Sequence, residues 1–226
     1  EEMLSLSPRR FVQDVLLEKL KMQEIVEGND FTFGTARAGT AETLCRLGQE
    51  LGFRVTLCDH IRREGEIVSS SRIRQRVLLG QVEEAGKLLG RLYAIEGKVV
   101  GGARRGKKLG FPTINLASEN ELLPRVGIYA TRVNHRSKLY GGVTNVGYRP
   151  TFEERDLTVE TFILDFSQDI YGEEISLYFV KRLRDEMKFN DPNALVHQME
   201  QDVEEARRVL SGNQPAGMLA QGLTGE

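Results

Sequence analysis

Apolar residues in the first 90 positions recur at two spacings, which predict helices that alternate with strands. Helical spacing begins directly after Ser7, with Pro8 suited to the first helical position. Short runs of β-type residues lie between the helical segments, and glycines at the ends of those segments act as stops. This alternation predicts an α/β unit. The helical segments are 8–20, 40–51 and 69–89, and the strand segments are 24–27 and 53–57.

The pattern changes near residue 91, where we place a domain boundary. Short β-type runs follow one another without intervening helices, and turns that contain glycine or proline separate them. Such a succession is typical of a small antiparallel barrel or a sandwich. An amphipathic helix then closes this part of the chain. The predicted strands are 93–100, 129–134, 139–143, 158–166 and 174–179, and the predicted helix is 194–210.

Composition narrows the possible classes of protein. The 226 residues are 40% hydrophobic and 28% charged, which is typical of globular proteins rather than disordered ones. A net charge of −2 gives no overall reason to expect nucleic-acid binding, and no apolar run is long enough to span a bilayer. Cys45 and Cys58 belong to no metal-binding pattern, so we expect free thiols in a cytoplasmic protein.

A basic, glycine-rich run at 101–108 precedes the string Leu-Gly-Phe-Pro-Thr-Ile-Asn at 109–115. Glycines allow backbone N–H groups to approach an anion, and cations neutralise it. Thr113 and Asn115 offer oxygen atoms of the kind that Mg²⁺ binds, and in an extended segment both would lie on one face. The run does not fit the Walker pattern, because neither lysine precedes a serine or threonine. A solvated hairpin would also explain this composition.

Three further strings stand out in the second half of the chain. The segment 145–152 predicts a polar loop, and the segment 158–166 places Glu160 within an otherwise apolar strand. The segment 182–189 is a dense run of mixed charge. Each has an ordinary explanation by itself, since a glutamate in a strand usually faces water and a charged run is usually a solvated surface.

Taken together and in this order, the strings resemble the riboflavin kinase module. From Leu6 to about residue 210 the chain resembles the later two thirds of the bacterial bifunctional riboflavin kinase/FMN adenylyltransferase (FAD synthetase) family. The matching motifs are G-F-P-T-x-N, N-x-G-x-R-P-T-F, V-E-x-x-x-L-D-F and R-L-R-D-E-x-x-F, at spacing similar to that of the family. The implied fold is part of a Rossmann-like nucleotidylyltransferase domain, followed by a small antiparallel β-barrel of riboflavin kinase type with a C-terminal helix.

The resemblance implies a role for individual residues of the barrel. Thr113 and Asn115 would hold Mg²⁺ at the ATP phosphates, and Gly102, Lys107 and Thr113 would contact ATP. Glu160 would be the general base that takes the proton from the 5′-hydroxyl of riboflavin. The flanking cations Arg104, Arg105 and Lys108 would assist.

The flavin ring would be covered by the segment that carries Arg184 and Phe189. Two departures from the family pattern are visible: Ile114 stands where the family usually has alanine, and Phe162 stands where it often has histidine. Neither position is a proposed ligand or base, so we expect the kinase chemistry to be retained.

The first 90 residues resemble parts of the adenylyltransferase domain. Asn29 and Asp30 lie in a string similar to the family's flavin-contacting G-x-D/N-F-x-F-G loop. Ser71 and Arg74 lie in a string similar to its S-S-T-x-x-R motif, in which the arginine binds phosphate. A run of hydroxyl residues before a helix is also an ordinary N-cap, which is the alternative explanation for residues 69–71.

One family element has no counterpart in these 226 residues. The adenylyltransferase domain uses an N-terminal strand-loop-helix with a G-x-F-D-G-x-H-x-G-H motif, and none of the three histidines here lies in such a pattern. The chain also begins without an initiator methionine, as if in mid-domain. We therefore expect about two strands of the parallel sheet to be present, and FAD synthesis to be lost.

The domains expected from the sequence are an incomplete adenylyltransferase domain at 1–90, a riboflavin kinase domain at 91–211 and a flexible tail at 212–226. We expect a cytoplasmic monomer or weak oligomer that binds riboflavin and ATP but no nucleic acid or membrane. Two alternatives to a riboflavin kinase remain open at this stage. One is a non-catalytic protein that binds flavin or nucleotide, and the other is an inactive truncated fragment.

Overall fold

A computed structural model describes residues 5–102, 109–148 and 157–212. Contacts between Cα atoms divide the chain into two compact units, Glu1–Ile67 and Val68–Glu226. The two units are called unit 1 and unit 2 below, and each is described by itself. No helix within the described residues is long and apolar enough to cross a membrane.

Unit 1 combines short helices with a parallel sheet of two strands. The first helix is α-helical at the start (α1, Pro8–Arg10) and continues as a π-helix over Phe11–Lys19. The parallel strands Glu24–Gly28 and Arg54–Cys58 pair Ile25 with Val55, and both side chains pack on the unit's core. The other elements are β2 (Thr32–Phe33), a 3₁₀ turn (Thr35–Arg37), β3 (Gly39–Thr40), α2 (Ala41–Leu51), β5 (Arg62–Arg63) and β6 (Glu66–Ile67), and the parallel strands are β1 (Glu24–Gly28) and β4 (Arg54–Cys58).

Local capping explains the limits of α2 and its position on the sheet. Thr40 is the N-cap, and its hydroxyl accepts a hydrogen bond of 3.3 Å from the backbone N–H of Thr43. Gly52 ends the helix with a φ of +79°, a left-handed conformation that glycine adopts without strain. The apolar side of α2 completes the core of unit 1, whose buried residues are Val12, Phe33, Leu44, Leu47 and Phe53. The predicted helix and the predicted pair of parallel strands are therefore confirmed.

Two short helices begin the described part of unit 2: α3 (Ser70–Leu78) and α4 (Val82–Leu89). Gly80 lies between them with a φ of +75°, and Gly90 follows α4 with a φ of +73°. The sequence predicted these breaks at both glycines. The helices belong by contacts to unit 2, whereas we placed the domain boundary near residue 91 from the sequence, and that boundary stays a prediction.

Six antiparallel strands form a closed barrel, in the order β10–β11–β8–β7–β12–β9. Closure gives every strand two neighbours, so no backbone edge of the barrel is left open. The predicted antiparallel β unit is thus a barrel and not a sandwich. The strands are β7 (Tyr93–Val100), β8 (Thr113–Ser118), β9 (Gly127–His135), β10 (Lys138–Tyr148), β11 (Leu157–Ile163) and β12 (Glu174–Arg184).

The barrel interior is mainly aliphatic but contains a row of three threonine hydroxyls. Thr144 Oγ1 lies 2.9 Å from Thr131 Oγ1 and 2.9 Å from Thr161 Oγ1, so the row joins β9, β10 and β11. All three threonines are buried. Gly142 makes room for the row, because a Cβ atom there would lie 2.9 Å from Thr131 Oγ1. The surrounding buried residues include Ile95, Val99, Val133, Val146, Leu177 and Phe179.

The C-terminal helix α5 (Pro192–Ser211) packs on the outside of the barrel. Asp191 is its N-cap, with side-chain oxygens 3.1 Å and 3.3 Å from the backbone nitrogens of the first turn. Ala206 and Leu210 on α5 are buried together with Ala130 and Leu164 of the barrel unit. The helix predicted at 194–210 is confirmed. Of the predicted tail at 212–226, residues 213–226 lie outside the described part.

One local prediction needs correction. The segment 145–152 was predicted to be a polar loop, but Asn145 to Tyr148 form the end of β10, and Val146 is fully buried. Its alternation of outward and inward side chains is that of a half-buried strand, which the turn-forming residues Asn and Gly obscured. Residues 149–152 lie outside the described residues. The segment 113–118 forms β8, so the condition that Thr113 and Asn115 lie in an extended segment is met.

Candidate functional site

Three neighbouring strands bring the candidate residues onto one outer face of the barrel. Glu160 on β11 stands opposite Asn115 on β8 and opposite Asn145 on β10. Thr113 stands opposite Phe162 in the same ladder. Residues directly opposite each other in antiparallel strands point to the same side of the sheet. The strand register therefore groups side chains that are far apart in the sequence.

A cavity of about 470 Å³ lies over this face. Its walls come from the barrel strands, from the segment that follows β12 and from α5. Phe111 and Phe162 meet edge to face, with ring centroids 5.3 Å apart. The polar lining residues include Thr113, Asn145, Glu160, Arg184, Glu186 and Asp202, and the apolar ones include Ile128, Val143, Phe162, Met187, Phe189 and Met199.

Glu160 is a half-buried carboxylate in the wall of this cavity. Within the described residues its side chain makes no hydrogen bond and no ion pair. A carboxylate that points into a cavity and is not neutralised by those residues is available to accept a proton from a bound molecule. The position inferred from the sequence is thus compatible with the predicted role as a base.

Asn115 and Gly102 are in close contact. Asn115 is 7% exposed, and its side-chain amide fills the space that a Cβ atom on residue 102 would need. Any side chain at position 102 would collide with that amide, so glycine is required here. The contact brings the beginning of the predicted ATP-binding loop next to a predicted metal ligand.

The oxygen donors near Glu160 fit a divalent cation. Thr113 and Asn115 are two residues apart on β8, so both side chains lie on the face that carries Glu160. A hydroxyl, an amide oxygen and a carboxylate are hard oxygen ligands of the type that Mg²⁺ accepts beside substrate phosphates. Among the described residues there is no group of three or more His, Cys, Asp or Glu side chains that could hold a metal ion by themselves.

Arg184 lines the cavity, but hydrogen bonds already occupy its guanidinium group. Its Nε and Nη2 atoms donate to the two carboxylate oxygens of Asp202, at 2.7 Å and 2.6 Å. Nη1 donates to the backbone oxygen of Asp185 at 2.9 Å. This bidentate pair joins the end of β12 to α5 and is largely buried. Its evident structural role is to hold α5 beside the cavity.

The segment after β12 is anchored a second time. Arg182 Nη2 donates to Asp185 Oδ1 at 2.6 Å, and this hydrogen bond holds the pKa of Asp185 below its usual range. Phe189, predicted to contact the flavin, lies further along the same segment and lines the cavity. Lys107, predicted to contact ATP, lies outside the described residues, as do Arg104, Arg105 and Lys108.

The four residues predicted from the adenylyltransferase motifs fall into different units. In unit 1, Asn29 Nδ2 donates to Asp59 Oδ1 at 2.6 Å, and Asp30 Oδ2 lies 3.9 Å from His60 Nε2. Ser71 and Arg74 belong to α3 of unit 2. The N-cap of α3 is the neighbouring Ser69, whose hydroxyl accepts a hydrogen bond of 3.3 Å from the backbone N–H of Arg72. The capping explanation therefore holds for the first serine of that string.

Several lining residues were not singled out from the sequence. Asp202 and Met199 lie on α5 and reach the cavity only because the helix packs across the barrel. Asn145 was quoted within a motif but was given no role, since a loop was expected there. The sequence does contain one signal for Asn145: it alternates with the inward-facing Val146, which is the pattern of a strand with one polar face.

Comparisons with known proteins match the two ends of the chain to two family models. A family model for riboflavin kinase matches residues 89–210, and one for FAD synthetase matches residues 1–72. The bifunctional riboflavin kinase/FMN adenylyltransferase of Bacillus subtilis is 38% identical over 216 residues, which are 93% of this chain and 67% of the relative. That of Listeria monocytogenes is 35% identical over 204 residues, which are 89% of this chain and 64% of the relative.

A solved structure is similar over most of the chain. It is described as the crystal structure of a macrolide-efflux protein from Streptococcus pneumoniae, with a TM-score of 0.81 and 36% identity. The similarity covers 92% of this chain and 67% of that one. The chain thus spans about two thirds of the length of the proteins that it matches here.

Proposed function

Because the chain belongs to the bifunctional riboflavin kinase/FMN adenylyltransferase family, we propose that its barrel unit is a riboflavin kinase. The reaction transfers the γ-phosphate of ATP to the 5′-hydroxyl of riboflavin and yields FMN and ADP. The observation that carries the proposal is Glu160, a half-buried carboxylate in the cavity wall with no partner among the described residues.

Glu160 acts as the general base in this proposal. It accepts the proton of the 5′-hydroxyl while that oxygen forms a bond to the γ-phosphorus of ATP. The bond between the γ-phosphorus and the β–γ bridging oxygen breaks, and ADP leaves with that oxygen. Phosphoryl transfer needs alignment and charge stabilisation more than covalent chemistry. On the side of the riboflavin hydroxyl, the protein therefore needs to supply one positioned carboxylate and a cavity that holds the flavin.

The residues that we propose to bind ATP and its metal ion lie on β8 and at Gly102. Thr113 and Asn115 would hold Mg²⁺, which when bound neutralises charge on the phosphates of ATP. Gly102, which has no side chain, lets the backbone at the start of the loop lie against the Asn115 amide. Lys107, together with Arg104, Arg105 and Lys108, is proposed on the motif alone to pair with the phosphates.

The acceptor ring has an apolar surface to occupy. Phe162 and Phe189 lie in the cavity wall together with methionines from two elements, and such side chains adapt to a flat aromatic ring. Arg184 contributes differently from the sequence-based expectation. Because its guanidinium donates to Asp202 and to the Asp185 backbone, we propose that it shapes the flavin cavity by holding α5.

The test is the replacement Glu160→Gln, which keeps the shape of the side chain and removes its basicity. We expect FMN formation from riboflavin and ATP to fall by about 10² to 10⁴-fold, the usual contribution of a general base. The matched control is Glu174→Gln on β12, an exposed strand glutamate outside the cavity, which should keep full activity. An unimpaired Glu160→Gln enzyme that forms FMN at the normal rate would refute the assignment.

The adenylyltransferase half is proposed to be inactive in this polypeptide. Unit 1 has a parallel sheet of two strands among its described residues, and none of the chain's three histidines lies in a G-x-F-D-G-x-H-x-G-H motif. The same assay, started from FMN and ATP and analysed for FAD, tests this second proposal. We expect no FAD above background, and FAD formed at a rate similar to that of FMN would contradict it.

A further inference from the structure

Asn145 has an unusual hydrogen-bonding state. Its Oδ1 atom is buried and has no hydrogen-bond partner among the residues that the structure describes, while its Nδ2 atom donates to Glu186 Oε1 at 3.4 Å. A carboxylate only accepts hydrogen bonds, so the amide must turn its nitrogen toward Glu186. Its oxygen is consequently left as an acceptor without a donor. Buried polar groups of this kind are rare in folded proteins and call for a physical explanation.

The surroundings of Asn145 are rich in acceptors. Glu160 stands directly opposite on β11, and Glu186 lies on the other side of the amide, above Gly147. These three groups border the same cavity and carry carboxylate or amide oxygens. Neither Glu160 nor Glu186 can donate a hydrogen bond to Asn145 Oδ1, because an ionised carboxylate only accepts hydrogen bonds. A ligand that fits here must therefore bring O–H or N–H groups of its own.

We propose that Asn145 is a specificity residue that accepts a hydrogen bond from a secondary hydroxyl of the flavin's polyol chain. Asn145 lines the cavity, and Glu186 is an exposed side chain that touches its amide through one long hydrogen bond. The inference rests on the proposed function, because it takes riboflavin as the molecule in the cavity. It adds a determinant of which flavins are accepted.

A polyol fits these acceptors better than a second cation does. A metal ion between Asn145 and Glu186 would need an oxygen from each side chain. Asn145 instead turns its amide nitrogen toward Glu186, so the two side chains are not arranged to bind one ion. Hydroxyls on successive carbons can donate to separate acceptors, as the spacing of Glu160 and Asn145 on neighbouring strands requires. The apolar wall beside them accommodates the ring that carries such a chain.

The first measurement uses the unaltered protein with two flavins. One is riboflavin, and the other is a flavin whose five-carbon side chain keeps the terminal hydroxyl but lacks the secondary hydroxyls. We expect riboflavin to bind at least about tenfold more tightly by quenching of flavin fluorescence. Equal affinity for the two flavins would overturn the inference, and this result is independent of any variant's folding.

The second measurement compares Asn145→Leu with Asn134→Leu. Asn134 lies on β9, also has a buried Oδ1 atom that no described residue contacts by a hydrogen bond, and does not line this cavity, so it is a matched control. For Asn145→Leu we expect the preference for riboflavin over the analogue, expressed as the ratio of kcat/KM values, to fall about tenfold. Asn134→Leu should leave the ratio unchanged. An equal loss for both flavins in Asn145→Leu would overturn the inference.

The two proposals fail in different ways. If the chain forms no FMN, the proposed kinase function fails, yet the fluorescence titration still reports whether the secondary hydroxyls matter for binding. If FMN forms normally but Asn145→Leu keeps the full preference for riboflavin, the kinase stands and the role of Asn145 falls. Mg²⁺ titrated alone against the Asn145→Leu protein should bind as it does to the unaltered chain. Loss of that binding would assign Asn145 to a cation instead and overturn the inference.

Discussion

The two compact units differ in how their sheets end. In unit 2 all six barrel strands have a neighbour on each side, whereas in unit 1 the parallel strands β1 and β4 pair only with each other among the described residues. Val26 on β1 remains 59% exposed and Leu57 on β4 37% exposed. A closed barrel fixes side chains on its outer face by strand register, and this register groups the residues of the candidate site. The two-stranded sheet of unit 1 does not fix side chains across several strands in this way.

Ion pairs show the same contrast, and breaking one in each unit should give the largest difference in stability. Asp202 and its partner Arg184 are 7% and 19% exposed, whereas Glu24 and its partner Arg54 are 43% and 75% exposed. We expect Asp202→Ala to lower the free energy of unfolding of unit 2 by about 3–5 kcal/mol, because it leaves a buried guanidinium unpaired. Glu24→Gln should cost at most about 1 kcal/mol in unit 1.

Urea denaturation followed by circular dichroism measures both changes. The Asp202→Ala protein should also bind riboflavin more weakly, since α5 forms part of the cavity wall. If Asp202→Ala were as stable as Glu24→Gln, the buried pair would not be what holds α5. The buried and the exposed ion pair would then contribute equally to stability, against our expectation.

A pair of matched leucines tests whether the two units depend on each other. Leu177 in the barrel and Leu44 in unit 1 are both fully buried, so alanine at either position should cost its own unit about 2–5 kcal/mol. We expect Leu177→Ala to shorten the thermal half-life of kinase activity. Leu44→Ala should leave that half-life unchanged, because the proposed site lies wholly on unit 2.

Cysteine labelling reports separately on unit 1. Cys45 lies on α2 beside Leu44 and is only partly exposed, so opening of this unit increases its reaction with a thiol reagent. Leu44→Ala should accelerate the labelling of Cys45, and Leu177→Ala should not. Faster labelling in both variants would mean that the units unfold together.

The smallest expected effect concerns acid stability in the barrel. The hydrogen bond from His135 holds the pKa of Glu173 below its usual value of 4.5, and Arg136 adds to this effect. A lowered pKa in the folded state stabilises the protein above pH 4.5, and this stabilisation is lost as the pH falls through the folded-state value. Glu173→Gln should therefore flatten the decline of the barrel's Tm below pH 4.5.

Glu42→Gln is the corresponding variant in unit 1, where the hydroxyl of Thr40 lowers the pKa of Glu42. It should leave the pH dependence of the barrel's Tm unchanged. Curves of equal steepness for Glu173→Gln and the unaltered protein would show that the bond to His135 contributes nothing to acid stability.

Local patterns predicted most of the elements but not their partners. The helices and their glycine stops follow from periodicity and from φ values that glycine tolerates, so 40–51 and 69–89 were predictable. Glu160 was identified because a carboxylate interrupts an apolar strand. Its two neighbours across the sheet depend on strand register, which no short segment encodes.

The role of Arg184 illustrates what sequence reasoning omits. A motif identified it as a residue near the flavin, and it does line the cavity. Its bond to Asp202, 18 positions later, depends on α5 lying across the end of β12. The family motifs were informative because they summarise such non-local arrangements, which periodicity alone does not reveal.

The row of threonine hydroxyls inside the barrel has a consequence for how the strands find their alignment. A slip of β10 by one residue would turn Thr144 outward and leave Thr131 and Thr161 as separated polar groups among aliphatic side chains. A slip by two residues would remove Gly142 from the one place where a missing Cβ atom makes room for the row. The three hydroxyls thus favour a single alignment of β9, β10 and β11, and the same alignment sets Glu160 opposite Asn145 on the outer face.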